Sequence, residues 1–162
     1  MKGYITRVQP AASPRQWLFS GVGGAVAIAL TGALTVYTGT PLLMAAFGAS
    51  CVLLFSVPAS PLSQPVNVVG GHALATAVAL VLRSVLPDVW WAVALAVGLA
   101  IALMAAFRVT HPPAGADPLV VFAADPDIGF LVFPVVLGAV VLVTTAAVYH
   151  RLTGTAYPLR ER

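Results

Sequence analysis

The sequence predicts an all-α membrane protein with four long transmembrane helices and two short, Gly/Pro-interrupted segments, each a half-helix or a re-entrant segment, arranged as two repeats. Three observations support this fold class. Residues 17–82 form a run of 66 positions without Asp, Glu, Lys or Arg, and one spanning helix needs about 20 apolar residues. Only 8% of the 162 residues are charged, whereas a soluble domain carries about 25%. The two halves also match each other at an offset of 67 residues.

Composition excludes several classes of protein. Disordered chains are poor in apolar residues, whereas this chain is 60% hydrophobic with a mean hydropathy of +0.98. The basic residues lie mostly near the two ends and form no stripe, so we expect no nucleic-acid binding. Cys51 is the only cysteine, which excludes a disulfide within one chain. No catalytic or phosphate-binding motif is present, so we expect neither an enzyme nor a cofactor.

The first repeat is predicted at about residues 17–86, after a polar cytoplasmic arm at 1–16. It consists of a long, a short and a second long apolar segment. Three prolines within 58–65 separate the second segment from the third, because a helix does not continue through them. The three segments cover residues 17–38, 41–57 (opening on Pro41) and 66–86.

The second repeat is predicted at about residues 87–152, with a cytoplasmic tail at 153–162, so that residues 17–152 form a single transmembrane domain. Its segments follow the same order of long, short and long, at 89–107, 119–124 and 128–149. Corresponding short, Gly/Pro-interrupted segments in two halves indicate where a transporter binds its substrate.

The informative part of the repeat is a pair of Gly-Ala dipeptides. Gly48-Ala49 precedes Phe55 at the same distance that Gly115-Ala116 precedes Phe122. Matches between apolar residues alone carry little weight in a membrane protein, since they arise by chance. This alignment makes Ser50 and Asp117 corresponding residues.

The distribution of basic residues predicts that both termini are cytoplasmic. Seven of the eight basic residues lie on the cytoplasmic side if the short segments cross the membrane, and also if both are re-entrant. Crossing segments make the halves inverted repeats, whereas re-entrant segments make them parallel. Charge does not choose between these two topologies.

His111-Pro112-Pro113 interrupts the apolar pattern of the second half. Two prolines leave backbone groups unpaired, which lipid tolerates only where the backbone is buried in protein or lines a wet cavity. Pro112 or Pro113 then begins a half-helix whose positive end can face a small anion. The alternative is a plain turn at the membrane surface.

Two charged residues flank this motif. Arg108 either offers a bidentate clamp to a planar oxyanion or is a snorkelling anchor at a helix end. Asp117 is the one acid outside an obvious surface turn or tail, and acids within a membrane are usually functional. It either pairs with Arg108 or His111, accepts a coupling proton, or caps the following helix.

A polar stretch opens the third segment. Asn67 and His72, with Gly70-Gly71 between them, suit an anion vestibule; the alternative is a loop in which Asn67 caps a helix and Gly70-Gly71 packs closely. No metal-ligand spacing is present, so we expect no metal. The predicted substrate-binding residues are Ser50, Asn67, His72, Arg108, His111 and Asp117. The predicted structural motif residues are Gly48, Ala49, Gly70, Gly71, Pro112, Pro113 and Gly115.

Three motifs in this order resemble the HPP family of integral membrane proteins. They are residues 47–55, residues 60–72 and the His-Pro-Pro motif with its following Ala-Gly-Ala at 111–116. The resemblance covers about residues 15–152. It implies a small protein with about four transmembrane helices, and it implies nitrite transport, which is associated with plastid and cyanobacterial members.

The predicted function is therefore transport of a small inorganic anion, with nitrite as the leading candidate, by a channel or a proton-coupled carrier. The alternatives are a non-transporting membrane module for binding or assembly, and a transporter of another small solute. A chain of this size has little room to enclose and seal a path, so we expect a homo-oligomer, with a dimer as the simplest case. The expected location is a bacterial inner membrane, with the lipid bilayer and the anion as partners.

Overall fold

The structure is a computed structural model that describes residues 7, 9–39 and 42–159. Within these ranges the chain is all-helical, as predicted, and contains no strand. Pro41, the predicted first residue of the short segment, lies outside the described residues, as do residues 1–6 and 8 of the arm and 160–162 of the tail. The α-helices are α1 (Pro14–Thr38), α2 (Ala45–Ser56), α3 (Pro65–Arg83), α4 (Trp90–Ala106), α5 (Asp117–Ala124) and α6 (Leu137–Thr153).

Helix α1 begins at Pro14, three residues before the predicted start at Trp17. Ser13 and Gln16 form a capping box: the Ser13 hydroxyl accepts from the Gln16 amide at 3.3 Å, and the Gln16 side chain accepts from the Ser13 amide at 2.7 Å. These bonds satisfy backbone donors that a helix start otherwise leaves unpaired. Local polar chemistry therefore begins the helix earlier than hydropathy predicts.

Among the described residues, three helical stretches are long and apolar enough to cross a membrane, whereas the sequence predicts four long segments. They are Pro14–Thr38, Pro65–Arg83 and Ile128–Thr153. The fourth predicted segment is α4, which has 17 residues, at the short end of the range of about 17–25 for a spanning helix.

The last segment is not the continuous helix that its apolar run predicts. The Asp127 side chain accepts a hydrogen bond from the Gly129 amide and begins a 3-10 turn at Ile128–Leu131. Phe133 then leaves the helical region, with φ −126° and ψ 115°, and regular helix resumes at Leu137. Pro134 explains the interruption, because proline has no amide hydrogen and its ring clashes with the preceding turn.

Helix α2 runs antiparallel to α1 along most of its length. The Leu42 amide donates to the Thr35 hydroxyl at 3.0 Å, and the Ser20 hydroxyl donates to the Phe55 carbonyl at 2.8 Å. Fifteen helical residues between Ser20 and Thr35 correspond to about 22 Å. The chain from 42 to 55 therefore returns to the end of the bundle at which α1 begins, and α3 starts there.

The second short segment, which includes α5, runs alongside α3 and in the direction opposite to α2. The Asn67 side chain donates to the Thr110 carbonyl at 3.0 Å, near the start of α3, and Arg83 donates to Asp125 at 2.8 Å, at its end. Sixteen residues of helix between these contacts correspond to about 24 Å. Helices α1, α3 and α5 thus point in one direction.

Helices α4 and α6 point in the opposite direction, like α2. Ala92, near the start of α4, packs with Phe122 near the end of α5. The Tyr149 hydroxyl, near the end of α6, donates to the Phe19 carbonyl near the start of α1 at 2.9 Å. We call the end at which α1 and α3 begin the Arg15 end, and the other the Arg83 end.

Two glycines allow the halves to interlock. A Cβ at Gly71 of α3 would lie 2.7 Å from the His111 Cβ and 3.0 Å from the Val109 carbonyl oxygen. A Cβ at Gly138 of α6 would overlap the Phe47 ring and lie 3.2 Å from the Leu42 carbonyl oxygen. The close packing expected at Gly71 is therefore present.

The glycines of the Gly-Ala dipeptides behave differently. A Cβ at Gly48 or Gly115 would meet no heavy atom within 4 Å. These two positions do not require glycine for close packing.

The C-terminal chain folds back on the Arg15 end. The Tyr157 hydroxyl donates to the Ser63 carbonyl at 3.0 Å, and the Leu159 amide donates to the Gln64 side chain at 2.8 Å. Tyr157 lies beyond α6, and burial raises the pKa of its hydroxyl, so it stays protonated and can donate. This contact fixes the turn between α2 and α3.

Candidate functional site

Four polar side chains meet in the interior of the bundle, each with 0% of its surface exposed: Ser50, His72, His111 and Asp117. They come from α2, from α3, from the turn before α5 and from the first residue of α5. The site thus draws on both halves of the chain.

His72 and Asp117 form a buried pair. The His72 Nδ1 lies 2.7 Å from the Asp117 Oδ2, and the Thr76 hydroxyl donates to the same oxygen at 3.3 Å. The other oxygen, Oδ1, is buried and has no hydrogen-bond partner among the described residues. Burying a lone ionised carboxylate is costly, so this pair requires a compensating positive charge or a proton.

Ser50 joins the two histidines. Its hydroxyl oxygen lies 2.9 Å from the Nε2 of His72 and 2.9 Å from the Nε2 of His111. The Ala46 carbonyl, one turn earlier in α2, lies 3.2 Å away. Ser50 is therefore the central member of the cluster.

His111 closes the series at a backbone group. Its Nδ1 donates to the Leu62 carbonyl at 2.9 Å. Leu62 belongs to the 3-10 turn Pro61–Ser63, immediately before α3. A continuous hydrogen-bonded series thus runs from Asp117 through His72, Ser50 and His111 to Leu62, which we call the buried polar chain.

The His-Pro-Pro motif explains the position of His111. A residue that precedes proline is held in an extended conformation, and His111 has φ −136° and ψ 102°. Pro112 and Pro113 then begin the 3-10 turn Pro112–Ala116, which leads into α5. The motif therefore ends one segment beside Gly71, begins the next, and directs the imidazole towards α2.

Aromatic contact shields the histidines. The Phe47 ring packs edge-on against His72 with centroids 5.3 Å apart, and the His72 and His111 rings lie 5.1 Å apart. Phe47 and Leu54 of α2 are fully buried. Hydrogen bonds in such an apolar setting are stronger than in water.

Two of the six predicted binding residues lie outside this cluster. Asn67 is half-buried and joins the two halves through Thr110. Arg108 is exposed, and its backbone adopts φ 60° where the chain turns out of α4. Arg108 is therefore not part of the buried cluster, and its left-handed turn leaves it at the Arg15 end.

Sequence reasoning missed two members of the site. Thr76 lies four residues after His72 in α3, so the two share a helix face, and this spacing was an available signal. The Leu62 carbonyl had no signal, since any residue type provides one. In the parts of the chain that the structure describes, no group of three or more His, Cys, Asp or Glu side chains suits a metal ion.

A second polar region lies at the Arg15 end. An open cleft between the start of α1, the end of α2 and the end of α6 is lined by residues that include Arg15, Gln16, Ser20 and His150. The Nε2 of His150 donates to the Leu54 carbonyl at 2.8 Å. Its Nδ1 is buried and finds no partner among the described residues.

Comparison with known proteins places the chain in a family. Residues 9–158 match the HPP transmembrane region. The chain belongs to the HPP family. Its match includes every residue of the buried polar chain, and the His-Pro-Pro motif provides one of the histidines.

Two curated proteins of Dictyostelium discoideum, both described as transmembrane proteins, are similar to this HPP protein. One is 36% identical over 142 residues, covering 83% of this chain and 46% of its own length. The other is 36% identical over 126 residues, covering 72% of this chain and 44% of its own length. The chain therefore spans less than half the length of these relatives. No solved structure matches it significantly.

Proposed function

We propose that this HPP protein transports a small inorganic anion across the membrane, with nitrite as the leading candidate. The observation that carries the proposal is the buried polar chain. Polar and ionisable side chains inside a membrane protein are expensive to bury and generally mark an ion or proton pathway. Here four of them meet with no exposed surface, in a chain that is 60% hydrophobic.

The proposal includes two inverted repeats of three segments each. Gly71 packs on the Val109 carbonyl and Gly138 packs on the Leu42 carbonyl. Both the glycines and the carbonyl residues are 67 residues apart. The helices of the first half run opposite to their counterparts in the second, which supports crossing segments rather than re-entrant ones.

Inverted repeats place a transporter's binding site at their interface. Ser50 and Asp117 correspond in the two repeats, and both hydrogen-bond to His72. The proposed path therefore passes between α2 and α5, where the two short helices approach His72 from opposite sides.

Charge supports the orientation and the sign of the substrate. Arg15, Arg108 and Arg151 are exposed at the Arg15 end, whereas Arg83 at the other end is paired with Asp125 at 2.8 Å. The positive-inside rule then makes the Arg15 end cytoplasmic, in a bacterial inner membrane. Clustered positive charge raises the local concentration of anions, so Arg108 acts at the mouth of the path.

Uptake of nitrite into proteoliposomes tests the proposal. Wild-type protein should raise uptake above that of empty liposomes, and Ser50→Ala and His111→Ala should each lower it about tenfold or more, since each breaks the buried polar chain. Ser84→Ala is the matched control, because Ser84 is exposed at the end of α3, and it should retain wild-type uptake.

Three further outcomes are informative. Correctly folded wild-type protein without any solute flux would overturn transport and favour a membrane module for binding or assembly. Flux of other small solutes in a competition panel, without nitrite, would overturn the choice of substrate. Chemical crosslinking in the bilayer should yield dimers, since we propose that two copies seal the path.

A further inference from the structure

We infer that the buried pair of His72 and Asp117 holds one exchangeable proton, and that Ser50 and His111 connect it to the Arg15 end. Its role in coupling rests on the proposed anion transport. The presence of the proton does not, since it follows from counting hydrogens in the buried polar chain.

The hydrogen bond to Leu62 fixes the hydrogen of His111. A carbonyl oxygen only accepts hydrogen bonds, so the Nδ1 of His111, 2.9 Å from it, carries a hydrogen. A neutral imidazole has one hydrogen. The Nε2 of a neutral His111 is therefore a lone pair directed at Ser50.

The hydrogen bond to Asp117 fixes the hydrogen of His72 at the other end of the buried polar chain. An ionised Asp117 only accepts, so the Nδ1 of His72, 2.7 Å from it, carries the hydrogen of a neutral His72. The Nε2 of His72 is then also a lone pair directed at Ser50. Both lone pairs lie 2.9 Å from one hydroxyl group.

Ser50 cannot satisfy both nitrogens. A hydroxyl has one hydrogen, so without a further proton one of the two short contacts sets a nitrogen lone pair against an oxygen lone pair. The Ala46 carbonyl at 3.2 Å is a third acceptor, so it provides no hydrogen for either imidazole nitrogen. The geometry is therefore inconsistent with an ionised Asp117 beside two neutral histidines.

One added proton resolves the conflict, and we place it on the pair of His72 and Asp117, rather than on His111, because there it neutralises the buried carboxylate directly. His72 then donates from Nε2 to Ser50, Ser50 donates to the Nε2 of His111, and His111 donates to Leu62. On the Asp117 side the proton sits either on the carboxyl group or on the imidazole, and the total is the same. The pair is neutral overall, which suits two side chains with 0% exposure.

No other titratable group among the described residues offsets this count. The turn before α5 contributes His111, α5 contributes Asp117, and α2 and α3 contribute the neutral Ser50 and Thr76. Cys51, the titratable residue of α2, packs in an apolar cluster. Helix α4 has no titratable side chain. The titratable residues of α6 lie in its last turns, where His150 bonds to the Leu54 carbonyl.

The chain also provides a route for release. The hydrogen on the Nε2 of His72 moves to the Ser50 oxygen, the Ser50 hydrogen moves to the Nε2 of His111, and a proton that started on the Asp117 carboxyl moves to the Nδ1 of His72. Because His111 has 0% exposure, its Nδ1 hydrogen reaches water at the Arg15 end only when its contact with Leu62 opens. An ionised Asp117 beside a neutral His72 remains. The Nδ1 of His111 now sets a lone pair against the Leu62 carbonyl, so release weakens the contact between the turns before α3 and α5.

Magnetic resonance of 15N-histidine protein in lipid nanodiscs, with infrared detection of the Asp117 carboxyl, measures the proton without any transport. At neutral pH we expect either both ring nitrogens of His72 protonated or a protonated carboxyl. A singly protonated His72 beside an ionised Asp117 would overturn the inference. Wild-type protein suffices for this test, so it stands even if a variant misfolds.

Asp117→Asn provides the second arm. An Asn side chain can donate a hydrogen to the Nδ1 of His72 and so replaces the proton, and His72 should then carry one hydrogen, on Nε2. If the anion is transported, its uptake by this variant should lose the response to a pH gradient that wild type shows. Uptake with a deprotonated pair would overturn this inference alone, whereas a protonated pair without uptake would overturn only the proposed transport.

Discussion

Ser50 and Asp117 hydrogen-bond to opposite ring nitrogens of one buried histidine, His72, at 2.9 and 2.7 Å. The two residues are 67 positions apart and follow the two Gly-Ala dipeptides. One is a neutral hydroxyl and the other an acid. One residue from each half of the chain therefore serves the same imidazole with different chemistry, and this contact between the halves is polar and asymmetric.

The pair of His72 and Asp117 predicts a difference between two substitutions. Asp117→Ala removes the partner of a fully buried imidazole, and breaking a buried pair in this way costs about 3–5 kcal/mol. Asp117→Asn retains a hydrogen-bonding group of the same shape and should cost about 1–2 kcal/mol. Reversible unfolding in detergent measures both. Equal losses of stability would contradict the pairing.

Gly71 predicts a steric effect in α3. Gly71→Ala places a methyl group 2.7 Å from the His111 Cβ and 3.0 Å from the Val109 carbonyl. It should lower the free energy of unfolding by about 1–3 kcal/mol and displace His111. Gly98→Ala is the matched control, since a Cβ there would meet no atom within 4 Å. If Gly98→Ala lowered the free energy of unfolding as much as Gly71→Ala, close packing at Gly71 would not be the cause of the loss.

The direction of α5 predicts which side of the membrane each loop faces. In a Cys51→Ser background, cysteines introduced by Arg108→Cys and Asp125→Cys should react with a membrane-impermeant maleimide from opposite sides. Segment 110–125 runs along α3 for about 24 Å, between the Asn67 and Arg83 contacts. Labelling of both cysteines from the same side would indicate a re-entrant segment. Arg151→Cys is the reference variant, because we expect it to be labelled from the same side as Arg108→Cys.

The contact of the C-terminal chain with the turn before α3 should contribute modestly to the free energy of unfolding. Tyr157→Phe removes the hydroxyl that donates to the Ser63 carbonyl at 3.0 Å, and one such bond contributes about 1 kcal/mol. Thermal unfolding in detergent should detect the loss. Tyr37→Phe is the control, because Tyr37 is 92% exposed and its hydroxyl should contribute nothing measurable.

Much of the fold could be predicted from hydropathy and turn residues. Apolar runs predicted six segments, and the described residues form six α-helices near those positions, because apolar runs and turn residues are properties of neighbouring residues. The exceptions are local: Ser13 begins α1 early through its cap, and Pro134 delays α6 to Leu137. Average hydropathy does not respond to one cap or one proline inside an apolar run.

The candidate site was predicted in part. The rarity of polar residues in an apolar chain selected Ser50, His72, His111 and Asp117, because burying such groups in lipid is costly. The same criterion also selected Arg108, which is exposed. The scarcity of polar residues in the sequence identifies candidate site residues, but it does not predict whether the fold of the chain leaves each side chain buried or exposed.

The sequence by itself determined that this chain is an all-helical membrane protein of the HPP family, with its polar residues concentrated in a few motifs. Only the tertiary structure decided the directions of the short helices and the order of contacts from Asp117 to Leu62. The physical reason is that the positive-inside count was the same for crossing and re-entrant segments, so charge did not discriminate. Side chains as far apart in sequence as Ser50 and His111 meet only through the packing of helices against one another, where glycines such as Gly71 allow close approach.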